Sequence, residues 1–210
     1  MKKALSVDNI LNAKFNVMPF EGKWYDAFGN PERTGSITIY GSSKNGKTDF
    51  AVQFSKYLTN FGRVLYFSVE EGLSKTMQVA IERNKMKEVG SKFVLTGRET
   101  LDELKERLRK HRSPDFVVID SIQFMELKFS EYKVLKEEFT RKLFIYISHE
   151  KNKLPDGSAA MKIYRDSNAV CRVEGFRAFP TSRYGGGEYI NVSDKLAQEY
   201  WGIRDDNLKH

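Results

Sequence analysis

The sequence has 210 residues, with 35 lysines and arginines against 28 aspartates and glutamates, for a formal net charge of +7. That length suits one α/β domain, and no run approaches the roughly 18 to 20 apolar residues of a membrane span. A single cysteine, Cys171, rules out a disulfide framework or a cysteine-rich zinc site within these residues.

Residues 1–34 carry Phe15, Phe20, Trp24, Tyr25 and Phe28 around a Gly29-Asn30-Pro31 turn signal. Spaced aromatics of this kind predict a flank that caps the core; a stacking platform for bases is the alternative. The opening MKKALSVDNILNAKF lacks the long apolar run and small-residue cleavage site of an export signal, so a cytoplasmic location is expected.

Ser36 to Tyr40 reads as a buried strand, and the next eight residues fit G-x-x-x-x-G-K-[ST] position for position: Gly41, Ser42, Ser43, Lys44, Asn45, Gly46, Lys47, Thr48. Backbone N–H groups can wrap a triphosphate only where side chains do not intrude, which is the use of Gly41 and Gly46. Lys47 reaches the β- and γ-phosphates, and the Thr48 hydroxyl faces a Mg²⁺ on the same oxygens. Asp49 opens the following helix, whose N-terminal dipole favours the anion and whose apolar Phe50, Phe54, Tyr57 and Leu58 recur at helical spacing. A glycine turn matching by accident would lack this strand and helix on either side.

Arg63 to Val69 is a second strand, followed by Glu70 and Glu71. A carboxylate here is placed to orient or deprotonate a water, a role assigned to Glu70; Glu71 is read as a helix-start acid. Leu73, Met77, Ala80 and Ile81 continue with helical period. Lys92 to Thr96 is a short third strand, and Thr100 with Glu103 forms a capping box for a helix bearing Leu101, Leu104 and Leu108. Its basic end, Arg109 to Arg112, complements the dipole, and His111 is a surface residue. Phe116 to Asp120 is an apolar strand ending in the acid expected to hold Mg²⁺ opposite Thr48. Leu143 to Ser148 is the next strand, with His149 after it as a sensor of the γ-phosphate or an ordinary structural histidine.

Lys151 to Met161 reads as a mobile loop. Ala169–Glu174, Phe176–Thr181 and Tyr189–Val192 read as strands, the last two joined by the glycine run of SRYGGGE as a hairpin turn. Ser193 caps a final helix with Leu196, Tyr200 and Trp201, before a frayed tail.

YGSSKNGKT, VLYFSVEEG, FVVIDSIQFM, IYISHEKNK and SRYGG fall in the order found in RecA-like ATPases. The chain resembles the RadA-type repair ATPases and the DnaB-type helicase motors over roughly residues 35 to 187. The resemblance implies a catalytic glutamate at Glu70, a metal-holding acid at Asp120, a sensor at His149 and an inter-subunit arginine finger at Arg183. It also implies a DNA-contacting loop at Lys151 to Met161. Three departures stand out: the finger's lysine is Thr181, the segment after Asp120 is short, and RadA's four-cysteine and protease-like domains are not in these residues.

The expected fold is α/β: a mostly parallel sheet flanked by helices, extended by C-terminal antiparallel strands. It is read as one domain, with a 1–34 flank, a 35–192 core and a 193–210 helix and tail. The expected function is Mg²⁺-dependent ATP hydrolysis coupled to DNA recombination, repair or replication, with single-stranded DNA and a ring or filament of copies as partners. A nucleotide-gated binding module is the alternative. A small-molecule kinase would need a lid drawn from Arg172, Arg177 and Arg183, and VVIDSIQ argues against it. No N-K-x-D guanine signature follows the loop, which favours ATP over GTP.

Overall fold

A computed structural model describes residues 4–205; residues 1–3 and the expected frayed tail at 206–210 lie outside the described residues. The strands are β1 (Gly35–Gly41), β2 (Val64–Ser68), β3 (Phe93–Thr96), β4 (Phe116–Asp120), β5 (Leu143–Lys151), β6 (Leu154–Pro155), β7 (Ala169–Glu174), β8 (Arg177–Ser182) and β9 (Ile190–Asn191). Along the sheet they stand in the order β3-β2-β4-β5-β1-β7-β8-β9, with β6 paired to β5 alone. The six strands from β3 to β7 in that order run parallel, while β8 and β9 are antiparallel. This is the expected mostly parallel sheet with an antiparallel C-terminal extension.

Every residue of β2 and β4 is buried, which is why both read as unbroken apolar runs: a parallel sheet is covered on both faces. Period-two alternation sorts their side chains. Val64, Tyr66 and Val118 join one apolar cluster, whereas Leu65, Phe67, Val117 and Ile119 join the other. The first cluster is closed by α2 (Lys23–Phe28), α3 (Lys47–Leu58) and α4 (Lys75–Arg83). The second is closed by α5 (Leu101–Arg109), α6 (Phe129–Glu138) and α7 (Ser158–Asp166). A short α1 (Val7–Leu11) precedes these, and α8 (Asp194–Asp205) ends the described chain.

The aromatic flank behaves as a cap. Phe20, Trp24 and Phe28 are buried, with Trp24 stacked on Tyr57 at 5.0 Å and Phe28 on Phe54 at 5.2 Å. These rings lie on α3, the helix that begins at the glycine loop, while Phe15 and Tyr25 remain exposed.

Three expectations need correction. Leu73 is 91% exposed, because Ser74 caps α4 and leaves Leu73 outside the helix. The segment Lys151 to Met161 is ordered structure: β5 runs on to Lys151, turns at left-handed Asn152 and Lys153, and returns as β6 before α7 begins at Ser158. The glycine run makes no tight hairpin. β8 and β9 pair only at Arg177↔Asn191 and Ala178↔Ile190, and the wide connection between them docks on α2, where the Gly187 N–H donates to the Ala27 carbonyl. The stretch after Asp120, read as short, holds α6, with Tyr132 and Leu135 buried, an element the sequence reading did not place.

Register alone gathers the functional candidates at one edge. Gly41 is level with His149, Ser68 with Asp120, and Asp120 with Ile147, all at the carboxyl ends of parallel strands.

Candidate nucleotide site

At the end of β1 the chain passes so near β7 that a Cβ at Gly41 would lie 2.1 Å from the Val173 carbonyl oxygen. Gly46 caps α3 with φ 93°, a left-handed conformation that suits glycine. The loop between them is braced from outside. Asn45 Oδ1 accepts from the Gly175 N–H at 2.8 Å, and the Phe176 N–H donates to the Asn45 carbonyl at 3.2 Å. Lys47 Nζ donates to the Ser42 carbonyl at 3.0 Å. Burial lowers the Lys47 pKa, opposed by the negative charges of Asp120, Glu70 and Glu150.

Asp120 ends β4 only 8% exposed, and the Tyr66 hydroxyl donates to its Oδ2 at 2.6 Å. Burial pushes its pKa up to about 6; the Tyr66 bond and Lys47 pull it down, while Glu70 and Glu71 push it up. The Val69 and Glu70 N–H groups both donate to the Asp120 carbonyl, at 2.7 and 3.2 Å, which brings the strand end carrying Glu70 onto that carrying Asp120. From β5, His149 Nε2 lies 3.4 Å from Glu70 Oε2. Glu71 instead accepts from Ser74 and Thr76 at 3.1 and 2.6 Å, as a helix-start acid does.

Lys47, Thr48, Glu70, Asp120 and His149 therefore face one pocket of about 180 Å³, with Ser43 and Lys44 on its rim. A second pocket of about 310 Å³ adjoins it, sharing Thr48 and Glu71 and extending over Lys75, Thr76 and Arg83 of α4. A larger groove of about 630 Å³ lies among α2, α3, the segment from the end of α4 to Val89, and residues 191–194, and contains none of those five residues.

No protein-family model matches the chain. Among curated proteins, it is 30% identical over 90 residues to the DNA repair protein RadA of Streptococcus pneumoniae, covering 42% of this chain and 20% of that protein. RadA of Streptococcus pyogenes serotype M1 gives the same identity and length, at 19% of its own chain. The match thus spans about one fifth of these relatives. Among solved structures, the flagellar accessory protein FlaH from Methanocaldococcus jannaschii superposes with a TM-score of 0.59 at 15% identity, over 86% of this chain and 96% of that one. A second solved structure, an ATPase domain, superposes with a TM-score of 0.55 at 14% identity, over 79% of this chain and 83% of that one. The chain has the RecA-like P-loop fold.

Within this RecA-like fold two anticipated residues lie outside the phosphate pocket, and for Arg183, expected to act on a neighbouring subunit, that is the expected place. The Asp49 carboxylate is taken by Arg83 and Asn84, at 2.6 and 3.0 Å, so it faces α4 and lines the adjoining pocket rather than the one around Lys47. Arg183 follows β8, whose end pairs with the start of β7, and its N–H donates to the Asn168 carbonyl at 3.1 Å. It stands at the amino ends of the parallel strands, with the length of the sheet between it and Lys47. The kinase lid is also not assembled. Arg172 is held bidentately by Glu150 at 2.7 and 2.9 Å and by Glu174 at 2.8 Å, and Arg183 is remote.

Two elements of the candidate site escaped the sequence reading. One is the Glu150–Arg172 pair, which braces the loop from beside Ser42. The other is Gln123, three residues beyond Asp120 in VVIDSIQ. Its Nε2 donates to Ser148 Oγ at 2.8 Å and to the Asp156 carbonyl at 2.7 Å, and its Oε1 accepts the His149 N–H at 3.2 Å. One amide thus ties the Asp120 loop to the β5 end and to Asp156, just past β6 at the base of the β5–β6 hairpin. Gln123→Ala is expected to destabilise the protein by about 1 to 3 kcal/mol, since it leaves half-buried partners unpaired; urea unfolding measures this.

Proposed function

We propose that the chain binds ATP with Mg²⁺ and hydrolyses it, and that turnover is coupled to DNA in recombination, repair or replication. The observation that carries this reading is the convergence of Lys47, Thr48, Glu70, Asp120 and His149 on one pocket. Lys47 and the loop amides hold the phosphates, and the nucleoside occupies the adjoining pocket over α4. A hydroxyl and a carboxylate are hard oxygen donors suited to Mg²⁺, so Thr48 and Asp120 would hold it. The fit is supported by the buried Ser121 hydroxyl beside them, which has no partner among the described residues. When bound, the cation neutralises charge developing on the phosphates.

Glu70 orients the attacking water and receives its proton as the terminal phosphate leaves ADP. His149, beside Glu70, responds to loss of that phosphate, and Gln123 passes the change to Asp156, at the base of the β5–β6 turn. That turn carries Lys151 and Lys153, and Phe124, 52% exposed, lies with its ring 5.9 Å from that of His149. A basic turn beside an exposed ring suits the backbone and bases of a single strand.

A second reading, a nucleotide-gated binding module with little turnover, is favoured by one observation. The position two residues before Arg183, where the resemblance implies the finger's lysine, is Thr181. Full activity would then require a ring or filament that brings Arg183 to a neighbour's nucleotide.

Steady-state hydrolysis with Mg²⁺, with and without single-stranded DNA, separates the two. Stimulation by DNA that disappears in Lys47→Ala and falls in the Lys151→Ala/Lys153→Ala double variant is expected. Tight nucleotide binding without turnover under either condition would instead establish the gated module.

A further inference from the structure

We propose that Ser121 is a positioning residue of this site, its hydroxyl holding a water of the divalent cation's inner shell alongside Asp120. This rests on the nucleotide reading above. Ser121 is 1% exposed, lines the same pocket as Thr48, Glu70 and Asp120, and its Oγ has no hydrogen-bond partner among the described residues. Its backbone is otherwise engaged: the Ser121 carbonyl accepts from the Met125 N–H at 3.0 Å, and the next N–H, of Ile122, donates to the Ile147 carbonyl at 2.9 Å. The hydroxyl across the pocket, Ser148 Oγ, is by contrast partnered, donating to the His149 carbonyl and accepting from Gln123.

A buried hydroxyl carries one donor and two acceptor sites, and leaving them empty is costly, so native interiors seldom do so. The chemistry beside Ser121 indicates what fills them. A water polarised by a cation is a strong double donor. Asp120, with one oxygen already bonded to Tyr66, accepts one of its protons, and the neutral Ser121 oxygen accepts the other. A second carboxylate at this position would add like charge next to Asp120, Glu70 and Glu71; a hydroxyl orients the water without that repulsion.

The test compares Ser121→Ala with Ser55→Ala, which removes another buried hydroxyl that has no partner among the described residues, on α3 and outside the pocket. Nucleotide affinity is measured in EDTA, and Mn²⁺ affinity for the nucleotide complex is measured by paramagnetic resonance. Expected for Ser121→Ala is unchanged metal-free nucleotide affinity with Mn²⁺ bound about 10-fold more weakly, as for other groups just outside a metal's ligands. Ser55→Ala should change neither. Parent-like Mn²⁺ binding by Ser121→Ala overturns the proposal, as does an equal loss of metal-free nucleotide affinity, which would put the hydroxyl on the nucleotide. If the unmodified chain binds no nucleotide, the nucleotide reading itself fails before any variant is made, and this proposal falls with it. Should Ser121→Ala not fold, Ser121→Cys, a much weaker acceptor, is read in the same assay.

Discussion

Asp120→Asn is expected to make the nucleotide-free protein more stable while removing its turnover. The Asp120 pKa is raised from 3.8 in the unfolded chain to about 6 in the folded one. The folded state therefore binds the extra proton between those values, and stability is lost as pH rises through that window. At about 1.4 kcal/mol per unit, the ionised carboxylate costs at most about 3 kcal/mol above pH 6. Asparagine keeps an oxygen for the Tyr66 hydroxyl and carries no charge. Its loss of negative charge beside Lys47 offsets part of the gain, so a net stabilisation of about 1 to 2 kcal/mol is expected. For a chain of this size that is a rise of roughly 2 to 8 °C in Tm. Melting curves at about pH 8 and about pH 4 check the sign, because the gain should appear at the first and vanish at the second. Hydrolysis should fall on the order of 100-fold, and in the unmodified protein metal-dependent nucleotide binding should strengthen as pH rises through about 6.

Glu70→Gln should act the other way round, sparing binding and removing chemistry. Glutamine is nearly isosteric and can still meet His149 Nε2, so the pocket's shape is kept, but it cannot take a proton from water. Loss of a general base typically costs about 10² to 10⁴ in rate. The expected outcome is a fall of that size in single-turnover hydrolysis, with nucleotide affinity within about twofold of the parent. Equal, slow turnover in both proteins would remove Glu70 from the mechanism and favour the gated binding module.

The parallel core was legible because burial on both faces writes itself as unbroken runs such as FVVID and LFIYIS, and the glycine loop because its spacing is dictated by phosphate geometry. The Thr100–Glu103 box was equally readable, being local: the Thr100 hydroxyl accepts the Glu103 N–H and the Glu103 carboxylate accepts the Thr100 N–H. Less legible were elements whose signal is tertiary. α6 and α7 follow N-cap positions held by Lys128 and Gly157, without the Ser or Thr side-chain cap that announces α4 and α5. The β5–β6 turn uses left-handed Asn152 and Lys153 rather than glycine at its tip, so its composition reads as loop. In the candidate site, a charge's direction was the hidden variable. Asp49 and Arg172 have the right chemistry and the right neighbourhood, but partners distant in sequence, Arg83 and Glu150, claim them.

Asn45 holds the Gly175 N–H, and the Trp201 indole N–H donates to the Gly175 carbonyl at 3.0 Å, so one glycine residue joins the phosphate loop to the last helix. Deletion mapping on this protein consequently has no neutral end at α8. Trimming back to the final strand removes the indole that fixes the β7–β8 corner, and the corner is what grips Asn45. A shortened chain with weakened nucleotide binding would then report the loss of a distant brace, and reading it as a missing substrate contact would misplace the binding surface by the width of the sheet's edge.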